Sequence, residues 1–289
     1  MRLASYNIRK GGSRRREAIA EVLSAIDADV TVLQEATDPE VVGWLARKVG
    51  YQFWTSRPDH SVALLARGEP DDVHWHVMGL NRTFIEARLP GGIRLFAIHL
   101  SSGLSRRGER RRLGELTEIL KVAGDEDDRK RTMIVGDFNS IAPGDSLKLA
   151  SLPRWIRMLL RLDGGIQTEV IAGVRAAGFI DAYRRFEPHD GATLPSVAPV
   201  VRLDYFMVGE DVAPAVRSCS IATLSSSLMT TASDHLPLVT ILDTGDPEAA
   251  TDPIAAGLQT SARPGLEREG RPGLEDVDGP IGDASPPPT

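Results

Sequence analysis

Short apolar runs recur along this chain, and several of them end abruptly in polar residues. The clearest is Thr132–Ser140 (TMIVGDFNS), in which residues 133–135 have the composition of a strand buried on both faces. Gly136 ends the run, and Asp137 and Asn139 follow. Because side chains alternate along an extended segment, these two are expected to point to the same side. They form either a local Asx turn or a functional pair at the carboxyl end of a strand, where α/β folds bind ligands.

The same arrangement, a predicted strand with a polar residue at or just beyond its carboxyl end, occurs elsewhere. The other examples are Met1–Ile8 with Asn7, Asp29–Leu33 with Glu35, and Ile93–Leu100 with His99. Each of these signals is weak alone, because polar residues are common where strands reach the surface. Together they predict a group of polar side chains at one edge of a sheet.

A carboxylate also lies within an apolar segment near the end of the globular part. The pattern of Arg202–Val208 (RLDYFMV) predicts a strand with Asp204 in its middle, on the same face as Phe206. A buried carboxylate without a partner is costly, so Asp204 is expected to have one. Asp234 and His235 directly precede the last predicted strand.

Two strands on either side of Pro90-Gly91-Gly92 predict a hairpin. With a two-residue turn at Gly91-Gly92, Phe84 lies opposite His99. Glu86 then lies diagonal to His99 on the same face, where it can orient the imidazole. A shift of one residue in the register removes this contact.

Helical spacing of apolar residues predicts amphipathic helices, and two of them carry many arginines. One begins near residue 106, where Arg107 and Arg111 are candidates to contact a substrate phosphate; a solvated charged face is the equal alternative. The other spans Leu147–Leu162 and is either a core helix with a basic outer face or a flap over an anionic or lipid substrate. A capping box that begins at Thr37 predicts a third helix, through about Val49.

The distribution of charge divides the 289 residues into two parts. Residues 244–289 hold nine acidic and three basic residues and are rich in Pro and Gly, which predicts an acidic disordered tail. Residues 1–243 hold 31 of each sign and are predicted to form one globular domain. This balance excludes a strongly basic nucleic-acid-binding domain but leaves room for local basic patches.

Cysteine content and hydropathy indicate the compartment. The single cysteine, Cys219, rules out an intrachain disulfide and favours a reducing environment. No secretory signal is visible at the N-terminus, and no apolar run approaches the ~20 residues of a membrane span. We therefore expect a cytoplasmic protein, and we expect it to be a monomer.

The candidate side chains offer mainly oxygen ligands, which favour a hard cation such as Mg²⁺, with Mn²⁺ as the alternative ion. No Cys/His set for zinc is present, and no GxxxxGK[ST] phosphate loop.

Six motifs in order then resemble the endonuclease/exonuclease/phosphatase superfamily: SYNIR, LQE, IHL, GDFN, RLDYFMV and SDHLP. This superfamily includes deoxyribonuclease I, AP endonucleases, sphingomyelinases and inositol-polyphosphate 5-phosphatases. The resemblance covers about Met1–Leu242 and implies an α/β (α+β) fold, a four-layer α/β/β/α sandwich of two packed mixed β-sheets flanked by helices. It also implies Mg²⁺-dependent hydrolysis of a phosphate ester through in-line attack by water.

By this resemblance, Glu35 is the main metal carboxylate, with Asn7 beside it and Asp234 contributing. The metal ion and its ligands are thus expected where the first two strands end.

The resemblance also implies the catalytic roles. Asp137 orients or deprotonates the attacking water, and Asn139 steadies it. His235 is the essential histidine, and its buried partner Asp204 fixes the tautomer and favours the imidazolium. His99 donates to the phosphate or to the leaving oxygen. The motifs do not determine whether Asp137 or His235 takes the proton of the water.

The substrate is not determined by these motifs. The clustered arginines favour a nuclease, whereas the basic amphipathic segment 147–162 favours a lipid or polyol-phosphate esterase. AP endonucleases carry Tyr where His99 stands, so abasic-site specificity is not implied. A binding module without activity is disfavoured because every catalytic position is filled.

Overall fold

In the computed structural model, the described residues are 1–79, 82–103, 105–145, 154, 157–158, 165–189 and 191–244. The strands within them are β1 (Arg2–Asn7), β2 (Val30–Gln34), β3 (Phe53–Thr55), β4 (Val62–Ala66), β5 (Asp72–Gly79), β6 (Arg82–Leu89), β7 (Ile93–His99), β8 (Thr132–Asp137), β9 (Ile180–Asp181), β10 (Asp204–Val208), β11 (Val216–Ile221) and β12 (Leu238–Leu242). The α-helices are α1 (Arg16–Ile26), α2 (Pro39–Val49), α3 (Arg106–Ala123), α4 (Glu126–Lys130), α5 (Glu169–Ala176) and α6 (Ser226–Ala232).

These strands form two six-stranded sheets. The first sheet has the order β11-β12-β1-β2-β4-β3, and the second has the order β5-β6-β7-β8-β10-β9. Each sheet contains one parallel pair, β1 with β2 and β7 with β8, among antiparallel neighbours, so both sheets are mixed.

Three apolar clusters define the layers. Facing residues of the two sheets, such as Leu64 and Leu95, form the central cluster. Helices α1, α2 and α6 cover the outer face of the first sheet, and α3 and α5 cover the outer face of the second. The predicted four-layer α/β/β/α sandwich is therefore confirmed.

The topology brings the carboxyl ends of the parallel strands to one edge of the sandwich. In the first sheet Asn7 pairs with Gln34, directly before Glu35. In the second sheet Asp137 lies beside His99 of β7 on one side and beside Asp204 of β10 on the other. The predicted polar strand ends thus lie on neighbouring strands.

The predicted register of the β6–β7 hairpin is wrong by one residue. The turn has three residues, Pro90–Gly92, so that Leu89 pairs with Ile93 and Glu86 pairs with Phe96. Glu86 therefore lies on the outer face, away from His99, because a slip of one residue moves a side chain to the opposite face.

Two local predictions also need correction. Asp38, rather than Thr37, caps α2, because its carboxylate accepts from the backbone N–H of Glu40 (3.0 Å). Asp204 is the first residue of β10 and does not lie in its middle.

Several predictions fall outside the described residues. They include the helix at Leu147–Leu162, of which only Arg154, Arg157 and Met158 are described, and the tail beyond Thr244. Among the described residues, no helix is long and apolar enough to cross a membrane.

Candidate active site

Asp137 lies at the centre of the polar cluster and uses its two carboxylate oxygens differently. Oδ1 accepts from the backbone N–H of Asn139 (2.8 Å), which makes a local Asx turn. Oδ2 accepts from Asn7 Nδ2 (3.0 Å) and lies 3.8 Å from His99 Nε2 and 3.9 Å from His235 Nε2. The sequence allows either an Asx turn or a functional role for Asp137. In the structure Asp137 forms the turn through Oδ1 and contacts Asn7 and the two histidines through Oδ2.

Asn139 is held by backbone geometry on both sides. Its φ of 49° is left-handed, and its Nδ2 donates to the carbonyl of Leu100 (3.1 Å). This bond joins the end of β8 to the end of β7. Asn139 therefore fixes the position of Asp137 relative to His99.

Asp204 and His235 form a buried pair that joins the two sheets. Nδ1 of His235 lies 2.9 Å from Oδ2 of Asp204, and both side chains are almost completely buried. Burial lowers the pKa of His235, but the negative charge and hydrogen bond of Asp204 outweigh it and raise this pKa to about 10. His235 thus carries a positive charge at neutral pH, with Nε2 directed toward Asp137.

The pKa of Asp137 shifts in the direction expected for a buried acid. Burial and the nearby charge of Asp204 raise it to about 7, despite the opposing charge of His235. A carboxyl group with this pKa can exchange a proton near neutral pH.

The first sheet contributes Glu35, Asn7 and Asp234. Asn7 Nδ2 donates to Glu35 Oε1 (3.2 Å), and the backbone N–H of Lys10 donates to Glu35 Oε2 (2.7 Å). Glu35 is half-buried, and its φ of 54° places it just after the strand end. Asp234 is partly exposed, and its Oδ2 lies 3.3 Å from Nε of Arg9. Asn7 thus links Glu35 to Asp137 through its amide N–H, while its Oδ1 accepts from the backbone N–H of Arg9 (2.9 Å).

His99 is buried beside Asp137 and lies close to the backbone of Ser61. Burial and the positive charges of Arg82 and His235 lower its pKa to about 3, so the ring is neutral at physiological pH. Arg82 Nη2 also donates to the carbonyl of His99 (2.7 Å) and thereby holds its backbone.

Glu86 does not orient His99, as the hairpin register requires. Its carboxylate instead binds His76 Nε2 (2.8 Å) and Arg94 Nε (2.9 Å). The β6 residue that contacts His99 is Arg82, at the start of the strand, which the alternation of apolar and polar residues does not single out.

Helix α3 supplies buried charged residues that hold the end of β7. Glu115 accepts from the backbone N–H of Ser101 (2.8 Å) and from its hydroxyl group, and Glu115 Oε1 lies 3.4 Å from Nε of Arg82. Ser101 follows His99 by two residues. The carboxylate of Glu115 therefore fixes the backbone just beyond this histidine.

A second buried carboxylate of α3 holds the end of β8. Glu109 accepts from the hydroxyl of Ser140 (3.0 Å) and from the backbone N–H of Val170 (2.9 Å). Its charge is balanced by Arg112 (2.7 Å), which is 1% exposed and also donates to the carbonyl of Ser101 (2.9 Å). Arg112 is thus a structural residue, in contrast to its exposed neighbours.

The two arginines predicted to contact a substrate phosphate are exposed on α3. Arg111 lines a cleft of about 680 Å³ together with Arg82, Ser101 and Glu115. The guanidinium of Arg111 is therefore near the side of the site on which His99 lies. Arg107 lies one helical turn before it, on the same helix.

Two groups of donors could hold a metal ion. Asp137, Asp204 and His235 each offer one ligand atom, and these atoms lie within 4.8 Å of one another. Glu35, which has Asn7 beside it, and Asp234 offer the oxygen ligands that a hard cation prefers. In the first group His235 Nδ1 is bonded to Asp204, so Nε2 is the ring nitrogen that remains for a ligand.

A family model described as "Endonuclease/Exonuclease/phosphatase family" matches residues 4–235, most of the chain. The chain belongs to the endonuclease/exonuclease/phosphatase family. The name of this family describes enzymes that hydrolyse phosphate esters. The resemblance based on the six motifs is thereby confirmed.

Solved structures that share the endonuclease/exonuclease/phosphatase fold include three bacterial or archaeal proteins. The 3′-5′ exonuclease from Neisseria meningitidis is 18% identical, with a TM-score of 0.63 over 84% of this chain and 100% of that one. The AP endonuclease from Archaeoglobus fulgidus is 17% identical, with a TM-score of 0.65 over 84% and 99%. A family member from Beutenbergia cavernae is 19% identical, with a TM-score of 0.63 over 84% and 71%. Comparison with curated protein sequences gives no match.

Proposed function

We propose that this protein is a Mg²⁺-dependent phosphodiesterase that cleaves nucleic acid by in-line attack of water. The observation that carries this proposal is the position of Asp137 Oδ2, between Asn7 and the Nε2 atoms of His99 and His235. An anionic oxygen that faces two imidazoles can hold a water molecule while both rings contact the phosphate. The pairing of His235 with a buried carboxylate supports the same conclusion.

In this proposal Glu35 holds Mg²⁺, with Asn7 beside it and Asp234 contributing; Mn²⁺ is the alternative ion. Asn7 and the backbone N–H of Lys10 orient the Glu35 carboxylate, and each of its oxygens keeps a lone pair for a cation. The partial exposure of Glu35 and Asp234 suits an ion that retains several waters. When bound, the ion polarises the phosphoryl oxygens and neutralises their charge.

The roles of the protein groups follow from their protonation states. Asp137 Oδ2 orients the attacking water and accepts its proton, while Asn7 and Asn139 fix the carboxylate. His235 stays protonated beside Asp204 and donates from Nε2 to a phosphoryl oxygen. His99, which is neutral, donates a hydrogen bond to the phosphate or to the leaving oxygen. We thus assign the base to Asp137 rather than to His235.

Nucleic acid is the proposed substrate class. The structurally similar Neisseria protein is described as a 3′-5′ exonuclease and the Archaeoglobus protein as an AP endonuclease, and both have low sequence identity to this chain. Arg111 is exposed and lines the cleft on the His99 side of the site, and Arg107 lies one helical turn before it. Both are suited to phosphates of an extended strand. The alternative prediction of a lipid or polyol-phosphate substrate depended on segment 147–162. None of the described contacts favours that substrate.

The remaining predictions concern the whole molecule. A globular domain of residues 1–243, an acidic disordered tail of residues 244–289, a monomeric state and a cytoplasmic location stay predictions from the sequence.

The direct test is nicking of supercoiled plasmid by the purified protein. We expect nicking with Mg²⁺, and none with EDTA or in the Asp137→Ala variant. Thermal unfolding of the variant shows whether it is folded. If folded wild-type protein cleaves neither plasmid nor single-stranded nucleic acid but hydrolyses phospholipids or small phosphodiesters, the nuclease assignment is wrong and the phosphoesterase class stands.

A further inference from the structure

A groove on the first-sheet side of the molecule has no role in the proposed reaction. It has a volume of about 640 Å³, and we name it the tryptophan groove. The residues that line it include Arg16, Asp38, Gly43, Trp44, Arg47 and Trp54. We propose that the tryptophan groove binds an unpaired base of a nucleic-acid strand whose phosphodiester lies in the active site. This inference rests on the proposed nuclease function and specifies single-stranded substrate.

The groove offers aromatic surface together with positive charge. Trp54 on β3 is 38% exposed, and Trp44 on α2 is partly exposed. The guanidinium of Arg16 lies 4.7 Å from the ring centroid of Trp44, in a cation–π contact. Aromatic rings and stacked guanidinium groups are the surfaces on which bases of single strands stack, largely without regard to sequence.

The shape of the groove depends on the absence of a side chain at Gly43. A Cβ atom at this position would lie 2.9 Å from Cζ2 of Trp54. Gly43 therefore allows the indole ring to lie directly against α2. Two tryptophans and Arg16 can then line one recess between α1, α2 and β3.

The groove begins a few residues from the proposed metal ligand. Ser13 and Asp38 line it, and Asp38 follows Glu35 by three residues. The intervening loops are joined, because the backbone N–H of Gly11 donates to the carbonyl of Glu35 (2.8 Å). Three residues of chain span at most about 10 Å, a distance that about two nucleotides of an extended strand can cover.

Exposed cations follow the same path. Lys10, Arg14, Arg16 and Arg47 are exposed along the loop and the rim. Within the groove, Arg16 and Arg47 are matched by Asp38, which is partly committed to capping α2, and Glu40. The additional cations Lys10 and Arg14 on the loop between Asn7 and α1 suit the phosphates that connect a base in the groove to the scissile bond. A duplex keeps its bases stacked inside, so it cannot place one in the groove without unpairing.

The test compares Trp54→Ala with Trp54→Phe, which keeps a stacking ring. Substrates are oligothymidylate, a thymidine dinucleotide and bis(4-nitrophenyl) phosphate, the last two being too short to reach both sites. For Trp54→Ala we expect KM for oligothymidylate to rise about tenfold with kcat little changed. The Phe variant should retain most of the affinity, and activity on bis(4-nitrophenyl) phosphate should be unchanged in both.

Binding is measured separately from turnover, by fluorescence anisotropy of labelled oligothymidylate in EDTA. Trp54→Ala and Arg16→Gln should weaken binding, whereas Arg217→Gln, which alters an exposed arginine on β11, should not. An unchanged KM and unchanged binding in Trp54→Ala, or an equal loss on all three substrates, overturns the inference. If the wild type hydrolyses bis(4-nitrophenyl) phosphate but no nucleic acid, the nuclease proposal itself fails.

Discussion

Asp204 and His235 come from different sheets, yet their side chains meet at 2.9 Å in an almost completely buried hydrogen bond. The acceptor is on β10 of the second sheet, and the donor precedes β12 of the first. This bond determines the tautomer of His235, because its Nδ1 must carry a proton to donate, and the negative charge of Asp204 favours a second proton on Nε2. The properties of this pair lead to the first prediction.

Replacing Asp204 by Asn should remove the charge that keeps His235 protonated. The pKa of His235 is about 10 in the wild type, and we expect it to fall in Asp204→Asn, because burial is then opposed only by the smaller effects of Asp137 and Asp234. NMR titration of the metal-free protein in EDTA measures this value, with His235→Gln to assign the signal. We also expect kcat to fall at least about a hundredfold. A variant that retains a pKa near 10 contradicts the assigned role of Asp204.

The raised pKa of Asp137 should make the metal-free protein less stable as pH increases. Its pKa is 3.8 in an ordinary environment and about 7 in the folded protein, so between these values the folded state holds a proton that the unfolded state has lost. The contribution to stability is complete below pH 3.8 and is lost as pH rises through 7.

Other groups also titrate in this pH range, so the prediction is tested on the difference in unfolding free energy between two proteins. We expect the unfolding free energy of wild type minus that of Asp137→Asn, from urea titrations in EDTA, to decrease between pH 4 and pH 7. A constant or increasing difference contradicts the assigned shift.

Mg²⁺ should stabilise the folded protein through Glu35. A ligand at one hundred times its Kd adds about 2.7 kcal/mol to the unfolding free energy, and Tm rises accordingly. Glu35→Gln should abolish most of this increase in Tm, because the amide replaces the anionic ligand. Glu40→Gln, which changes an exposed glutamate nearby, should keep it. If Glu35→Gln responds to Mg²⁺ as the wild type does, the ion binds elsewhere, with Asp137, Asp204 and His235 the next group to test.

Arg112 should contribute more to stability than its exposed neighbours. Arg112→Met leaves the buried carboxylate of Glu109 without its partner, and loss of one member of such a pair costs about 3–5 kcal/mol. Arg110→Met, on the exposed face of the same helix, should change stability by less than about 0.5 kcal/mol. Urea unfolding of the two variants tests the contrast, and similar losses contradict it.

Arg107 and Arg111 should affect DNA binding through phosphates. If each contacts one phosphate, Arg107→Gln and Arg111→Gln should each reduce the slope of log K against log salt concentration by about 0.7 for single-stranded DNA, or about 0.9 for a duplex. The effect should be similar for different sequences. Binding in EDTA at several salt concentrations measures the slope, and Arg217→Gln serves as the control. A slope that is the same in all variants shows that neither arginine contacts the strand.

The strands and the polar residues at their ends were largely predictable. A buried strand has a recognisable composition, and residues such as Asp137 and His99 stand out where the apolar run stops. Parallel pairing brings such ends together within each sheet, and packing of the two sheets then lets the side chains of Asn7 and Asp137 meet although 130 residues separate them. The sequence pattern was sufficient to place these polar residues at strand ends, because strand composition and chain direction determine where each strand ends.

The position of Glu86 was not predictable, because the hairpin register depends on the exact turn. Pro90-Gly91-Gly92 is compatible with turns of two or three residues, and the two choices place Glu86 on opposite faces of the sheet. A difference of one residue in the turn thus decides whether this carboxylate is near His99.

The buried charges of α3 were missed because a segment rich in arginine is typical of a solvated surface. Glu109 and Arg112 nevertheless occupy positions three and four residues apart that continue the apolar stripe through Leu116 and Ile119. Charged residues at positions of the buried stripe are the signal that could have identified them. Only the fold shows their partners, since Ser140 and Val170 belong to other segments of the chain.

The division of the site between the sheets has a consequence for how activity reports on the molecule. The second sheet is formed by residues 72–208, and the first by strands before and after this segment, with β1 paired to β12. Asp137 and its neighbours of the second sheet cannot meet Asn7, Glu35 and His235 unless the sheets are docked. Turnover is therefore an indicator of sheet docking: a protein in which both sheets form but separate slightly keeps its secondary structure and loses its chemistry. Far-ultraviolet circular dichroism followed together with activity through unfolding can detect such a state.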